Sequence, residues 1–173
     1  VPVDTWLGLV RDGVKRFGAR PELYIRPMYW AESGGPLSVP ADPESTRWCL
    51  TMYDTPMPAP GNSSITLSPF RRPSVETMPV DAKAGCLYPN NARALVEAAS
   101  RGFDNCLLRD LLGNIAELAN ANVFMARNGV VCTPMPNGTF LNGITRQRVI
   151  RLLREAGVEV QEAVLRYQDS EQA

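Results

Sequence analysis

A length of 173 residues accommodates one ordinary domain, or one domain and part of a second, and a hydrophobic content of 45% excludes a disordered chain. Eighteen basic residues balance eighteen acidic ones, so no net charge draws nucleic acid or an anionic membrane, and neither partner is expected. Histidine is absent, which removes Ser-His and Cys-His nucleophiles and imidazole metal ligands.

In chain order, Asp4 precedes a pattern with Trp6, Leu7, Val10, Val14 and Phe17 on one helical face, stopped by Gly18. Leu23 to Trp30 reads as a buried strand, held to an edge or bulge by Pro27. Residues 31–45 carry Gly34, Gly35, Pro36, Pro40 and Pro43 and read as a loop, and Arg47 to Tyr53 returns to strand character. Residues 55–61, rich in proline, are too stiff for a helix and mark a domain boundary. Beyond them a short strand is expected at Ser64–Ser68 and a helix at Asn90–Arg101, closed by Gly102. Short strands follow at Cys106–Arg109, Asn114–Glu117, Asn122–Ala126 and Val130–Cys132, with turns at Leu112-Gly113 and Asn128-Gly129. Gly143-Ile-Thr opens a helix that runs through Glu155 and ends at Gly157, and a last strand spans Val158–Leu165. The polar, helix-compatible stretch 167–173 suggests a fragment or a trimmed chain. Mixed strands and helices with several hairpins predict an α+β fold rather than a doubly wound sheet.

No apolar run reaches the length of a membrane span and no signal-peptide pattern opens the sequence, so the expected location is cytoplasmic. Cys49, Cys86, Cys106 and Cys132 form no C-x-x-C pair and read as buried free thiols, and no metal site is expected.

Covalent chemistry therefore falls to another nucleophile. The chain has only two lysines, Lys15 and Lys83. Lys15 lies on the polar face of the first helix. Lys83 is flanked by apolar or small residues from Met78 to Tyr88, and a partly desolvated setting there would make its amine a usable nucleophile. Gly143-Ile-Thr145 has its own rationale. A glycine turn opening a helix offers free backbone N–H groups and the positive end of the dipole to an anion such as phosphate.

Lys83-Ala-Gly-Cys-Leu-Tyr88 resembles the lysine–glycine–tyrosine segment of the class-IV aminotransferases, the fold-type-IV enzymes dependent on pyridoxal 5′-phosphate (PLP). The flanks match in the family's order: Ser68-Pro-Phe-Arg-Arg72 and Pro79 before it, then Gly102-Phe-Asp104, Gly113-Asn-Ile-Ala-Glu117, Asn122-Val-Phe124, Thr133-Pro134 and Leu141-Asn-Gly-Ile-Thr-Arg146. Tyr24-Ile-Arg-Pro27 is similar to the tyrosine–arginine strand of the branched-chain amino-acid aminotransferases.

The resemblance implies that Lys83 carries PLP as a Schiff base and shuttles the proton of the amino transfer. It implies that Tyr88 bonds the cofactor's 3-oxygen, that Glu117 pairs with the ring nitrogen, and that Leu141 packs on the ring face. Gly143, Ile144 and Thr145 would hold the phosphate, with Arg72 near the cofactor. Tyr24 and Arg26, on one face of their strand, would recognise substrate carboxylate.

The implied reaction moves the amino group between L-leucine, L-isoleucine or L-valine and 2-oxoglutarate, in a homodimer with PLP between two domains. Residues 1–54 would be the second part of the small domain, 55–61 a linker, and 62–173 most of a larger pseudo-barrel domain lacking its C-terminal part. Residues 54–61 depart from the family by lacking a tyrosine-bearing loop, and the family's N-terminal and C-terminal segments, with further phosphate-binding groups, have no counterpart. The alternatives are a D-amino-acid or R-amine transaminase or aminodeoxychorismate lyase on the same scaffold, and a catalytically incomplete fragment.

Overall fold

A computed structural model describes residues 1–18, 22–57 and 59–170. Pro58 of the expected linker and the final residues 171–173 lie outside the described residues. The chain divides into two compact units, Val1–Gly61 and Asn62–Ala173.

In the first unit, α1 (Val3–Val14) packs on a two-stranded antiparallel sheet of β1 (Leu23–Ala31) and β2 (Thr46–Asp54). The helix starts one residue earlier than its sequence signal: Pro2 is the N-cap, and Asp4 sits inside the first turn, where its charge complements the helix dipole. Residues 31–45 are not wholly irregular. They hold two single helical turns, Pro36–Ser38 and Pro43–Ser45, and a bridge between Gly34 and Ala41.

The register pairs Leu23 with Asp54 and Ala31 with Thr46. Opposed residues share a face, so Ile25, Pro27 and Tyr29 lie with Met52, Leu50 and Trp48, while Tyr24, Arg26 and Met28 lie with Tyr53, Thr51 and Cys49. The Trp6 ring meets Trp48 edge-on at 4.9 Å, and any side chain at Gly13 would collide with Met52, so α1 covers the first of these faces. No described residue of this unit is fully buried, so the buried strand expected at 23–30 is instead exposed along most of its length. Two strands and one helix cannot enclose a side chain from all sides.

The second unit contains two three-stranded sheets. In one, β3 (Ile65–Arg71) runs parallel to β4 (Asn105–Arg109), joined through α2 (Tyr88–Ser100), and β4 pairs antiparallel with β5 (Ile115–Leu118). In the other, β6 (Met125–Arg127) pairs antiparallel with β7 (Val130–Pro134), and β7 runs parallel to β8 (Glu159–Ala163) through α3 (Ile144–Glu155). A short α4 (Tyr167–Ser170) follows.

The β6–β7 hairpin turns at Asn128 and Gly129, with φ of 51° and 80°, the left-handed pair that such two-residue turns require. Each sheet also holds a parallel pair closed by a helix, which hairpin signals in the sequence could not reveal. The strand expected from Asn122 begins only at Met125. Asn122 instead donates its side-chain amide to the Leu141 carbonyl, and the Val123 carbonyl accepts from the Thr133 hydroxyl.

β4 is the centre of the unit. Cys106 and Leu108 face α2 with Ala94, Ala98, Phe70 and Phe103, while Leu107 points the other way into Ile115, Val123, Leu165 and Cys132. That period-two alternation on a strand buried on both faces accounts for its unbroken apolar run. Of the cysteines only Cys106 is buried; Cys49 and Cys132 are half-buried and Cys86 is exposed, so the expectation of four buried thiols is corrected. Cys86 lies in the single helical turn Gly85–Leu87, in which Leu87 rather than the thiol is the buried side chain.

Candidate active site

Glu117 lies on β5, between Ala116 and Leu118, and is only 8% exposed. The chain folds this way because Ile115 on the same face of the strand belongs to the core, so the carboxylate is carried inward with it. Its partner is Arg72, 2% exposed, whose Nε lies 3.1 Å from Oε1 of Glu117. The guanidinium also donates to the Thr139 carbonyl at 3.1 Å and, through Nη1, to Oδ1 of Asn91 at 2.7 Å. Burial pushes the Glu117 carboxyl up to about 7, against the opposing fields of Arg72 and Lys83. A carboxyl poised there can hold or release a proton at neutral pH.

The effect of Lys83 on Glu117 places its charge within electrostatic reach of the carboxyl. Lys83 itself is exposed, not partly desolvated as its sequence neighbours suggest. The small residues Ala82, Ala84 and Gly85 leave the lysine uncovered rather than enclosing it. Tyr88, also exposed, opens α2 and shares a helix face with Asn91 three residues on, the residue that holds Arg72.

The segment from Asn137 to Thr145 crosses the same region. Thr139 is tied to Arg72, and the Leu141 carbonyl to Asn122. Gly143 caps α3 with no side-chain bond, and the first intrahelical bond of the turn runs from the Gln147 amide to the Gly143 carbonyl at 3.0 Å. The amides of Ile144 and Thr145 are therefore free of helical acceptors, and both residues are exposed. A Cβ on Gly143 would sit 2.8 Å from Oδ1 of Asn122, so a side chain there would push the Asn122 amide and disturb its bond to the Leu141 carbonyl. Leu141 is half-buried beside it.

In the first unit, Tyr24 and Arg26 do share a face, where Tyr24 stacks on Tyr53 at 5.3 Å between ring centroids. Both tyrosines are about half exposed, and the Thr51 hydroxyl donates to the Arg26 carbonyl.

Sequence reasoning misses Asn91, Thr139, Asn137 and Asp110. Asp110, 2% exposed, accepts from the amide and side chain of Asn114 and from Asn137, whose carbonyl oxygen in turn accepts from the Thr139 hydroxyl at 2.6 Å. The one available signal is Asp110 ahead of Gly113-Asn114, a common polar turn; nothing local marks the long-range bonds.

The architecture is that of the fold-type-IV enzymes, a mixed α/β scaffold with a carboxylate strand and a glycine-capped helix brought together. The sequence model of the amino-transferase class IV family matches residues 1–173, and the chain belongs to that family. It is 31% identical over 151 residues to a probable branched-chain-amino-acid aminotransferase of Rickettsia bellii, across 87% of this chain and 52% of that protein. Among solved structures it is similar to an aminotransferase from Brucella abortus bound to PLP, at 54% identity and a TM-score of 0.96, covering all of this chain and 62% of that one. The Escherichia coli branched-chain amino acid aminotransferase superposes with a TM-score of 0.90 at 29% identity, covering 57% of its length. The chain thus spans about half the length of the curated relatives it matches.

Proposed function

We propose that this chain is the central part of a PLP-dependent transaminase acting on branched-chain L-amino acids and 2-oxoglutarate, with Lys83 as the cofactor lysine. The observation that carries the reading is the buried Glu117–Arg72 pair within the field of Lys83, held beside the glycine-capped start of α3. The residues fit the cofactor on three counts. Lys83 offers an accessible amine, Glu117 a carboxyl that exchanges a proton near neutrality, and Gly143 a cradle that a Cβ would fill.

Bound there, PLP supplies an aldehyde that condenses with amines and a ring that accepts electron density from the carbon bearing the amino group. Glu117 would hold a proton at the ring nitrogen, and its burial would keep water from competing for that proton. The Ile144 and Thr145 amides and the Thr145 hydroxyl would hold the phosphate. Tyr88 would serve the 3-oxygen, and Leu141 would pack on the ring. Arg72 secures Glu117. Lys83, which is exposed, would be the group able to move a proton to and from the substrate carbon through its Nζ.

Tyr24 and Arg26 receive substrate carboxylate, and a bidentate arginine on that face suits a dicarboxylate such as 2-oxoglutarate. The reading assigns residues 1–54 to a small domain, 55–61 to a linker and 62–173 to the larger domain, supported by the division of the chain after Gly61. It carries with it a cytoplasmic homodimer, supported by the family resemblance and by exposed aromatic side chains on the first unit such as Tyr29 and Trp30.

Borohydride reduction in the presence of PLP, followed by peptide mapping, tests the central assignment. The expected product is a pyridoxyl group on Lys83. Labelling confined to Lys15, the only other lysine, refutes it. An amino-donor panel on the parent protein tests the substrate: use of D-alanine or a simple amine alone would replace the branched-chain assignment.

A further inference from the structure

Arg72 is held from three directions. Oε1 of Glu117 lies 3.1 Å from Nε as an ion pair, the single Nε hydrogen is donated to the Thr139 carbonyl at 3.1 Å, and Oδ1 of Asn91 accepts from Nη1 at 2.7 Å. Asn91 is the least expected of these. It projects from α2, and its amide nitrogen donates to the Ala119 carbonyl at 2.7 Å, two residues beyond Glu117. One asparagine thus uses its acceptor on the guanidinium and its donor on the backbone that leads out of the carboxylate strand. It fixes the arginine and the strand to each other. An aliphatic residue of the same size would leave the Nη1 donor and the Ala119 carbonyl unpaired in a half-buried setting.

Asn91 comes three residues after Tyr88, on the same face of α2, and Leu87, Ala94 and Ala98 seat that helix in the core. Its position is therefore set by packing. A long arginine side chain carries considerable rotamer freedom. Without the Asn91 acceptor, the Nη1 side of the guanidinium is released and only the Thr139 carbonyl still holds it by a hydrogen bond, so the group gains freedom to turn about Nε and away from Glu117.

We propose that Asn91 is a positioning residue for Glu117, acting through Arg72. It holds the guanidinium against the carboxylate and so sets the charge state that Glu117 presents to a ring nitrogen. This rests on the assignment of Glu117 given above, but the contact itself exists in the chain without cofactor. The charged groups that face Glu117 are Arg72, just past β3, and Lys83, from the turns ahead of α2; α2 and the strap at Thr139 offer it only neutral groups through Arg72. Loss of the clamp weakens the nearer cation and leaves burial less opposed, so the carboxyl titrates at higher pH.

The test is the titration of the Glu117 side-chain carboxyl by carbon-13 NMR on the full chain without PLP. Four proteins are compared: wild type, Asn91→Ala, Arg72→Leu and the double variant. In Asn91→Ala the midpoint is expected to rise by about half a pH unit or more relative to wild type. In the Arg72→Leu background the same substitution is expected to add nothing, because its route to Glu117 is gone. An unchanged midpoint in Asn91→Ala overturns the proposal, and so does an equal shift with Arg72 already removed. If Asn91→Ala does not fold, Asn91→Ser takes its place in the same comparison, with the same outcomes deciding. PLP reduction onto Lys83 is read separately, so failure to label that lysine counts against the cofactor assignment and leaves the Asn91 result standing.

Discussion

The two units use the same materials to different effect. Each contains strands with apolar residues and a helix with an apolar face, yet the second encloses Leu108, Ile115 and Val80 almost completely, while the first, whose strands are richer in aromatic residues, buries no described residue. The difference is layering. β4 has α2 on one face and the second sheet's side chains on the other, whereas β1 and β2 have α1 on one face only. Burial is what turns Glu117 into a group that titrates near neutrality. On the open sheet of the first unit, Tyr24 and Arg26 stay exposed to solvent. The closed unit buries and tunes a carboxyl, while the open one leaves its polar and aromatic side chains in solvent.

The contrast can be broken at its strongest point first. Leu108→Ala removes a fully buried side chain between α2 and β4 and is expected to cost about 3 kcal/mol in urea unfolding. A loss below about 1 kcal/mol would mean that the second unit is not the cohesive one.

Glu117 provides the next measure. Its folded value of about 7 lies above the ordinary 4.5, so the folded state holds a proton that the unfolded state has released between those values. Stability from this group is full below about pH 4.5 and is lost as pH rises through 7. Wild type should therefore lose roughly 3 kcal/mol relative to Glu117→Gln over that interval. Parallel stability–pH curves for the two proteins would show that the carboxyl is not buried as described.

Gly129→Ala forces a side chain onto a residue with φ of 80° and is expected to destabilise by about 1 kcal/mol, read as a drop in melting temperature. Smallest of all, Tyr29→Ala on the open sheet should change stability by no more than about 0.5 kcal/mol, since the residue is 80% exposed. An effect as large as that of Leu108→Ala would erase the distinction between the units.

Much of the proposed site rests on the order of its motifs, which singles out Lys83, Glu117 and Gly143 as candidates. The glycine turn also has an independent electrostatic argument, and the fold adds that a Cβ there would press on the Asn122 side chain. The Asn128-Gly129 turn follows from residue type alone, because few residues accept two successive left-handed conformations. The environment of Lys83 is where local sequence misleads. Small apolar neighbours along the chain suggest cover, but cover comes from residues distant in sequence, and none closes over this lysine among the described residues.

Side-chain types and their order are enough to establish the family, the succession of chemistry-bearing residues and the local turns, since each depends on backbone preference and residue identity over a few positions. Folding in three dimensions was needed to bury Glu117, to set Arg72 against it, and to bring Asn91 and Thr139 onto Arg72 from α2 and from the strap ahead of α3. Those contacts join residues separated by 19, 45 and 67 positions (91 − 72, 117 − 72 and 139 − 72). Their strength depends on the exclusion of water, a property of the packed whole that no local stretch of sequence possesses.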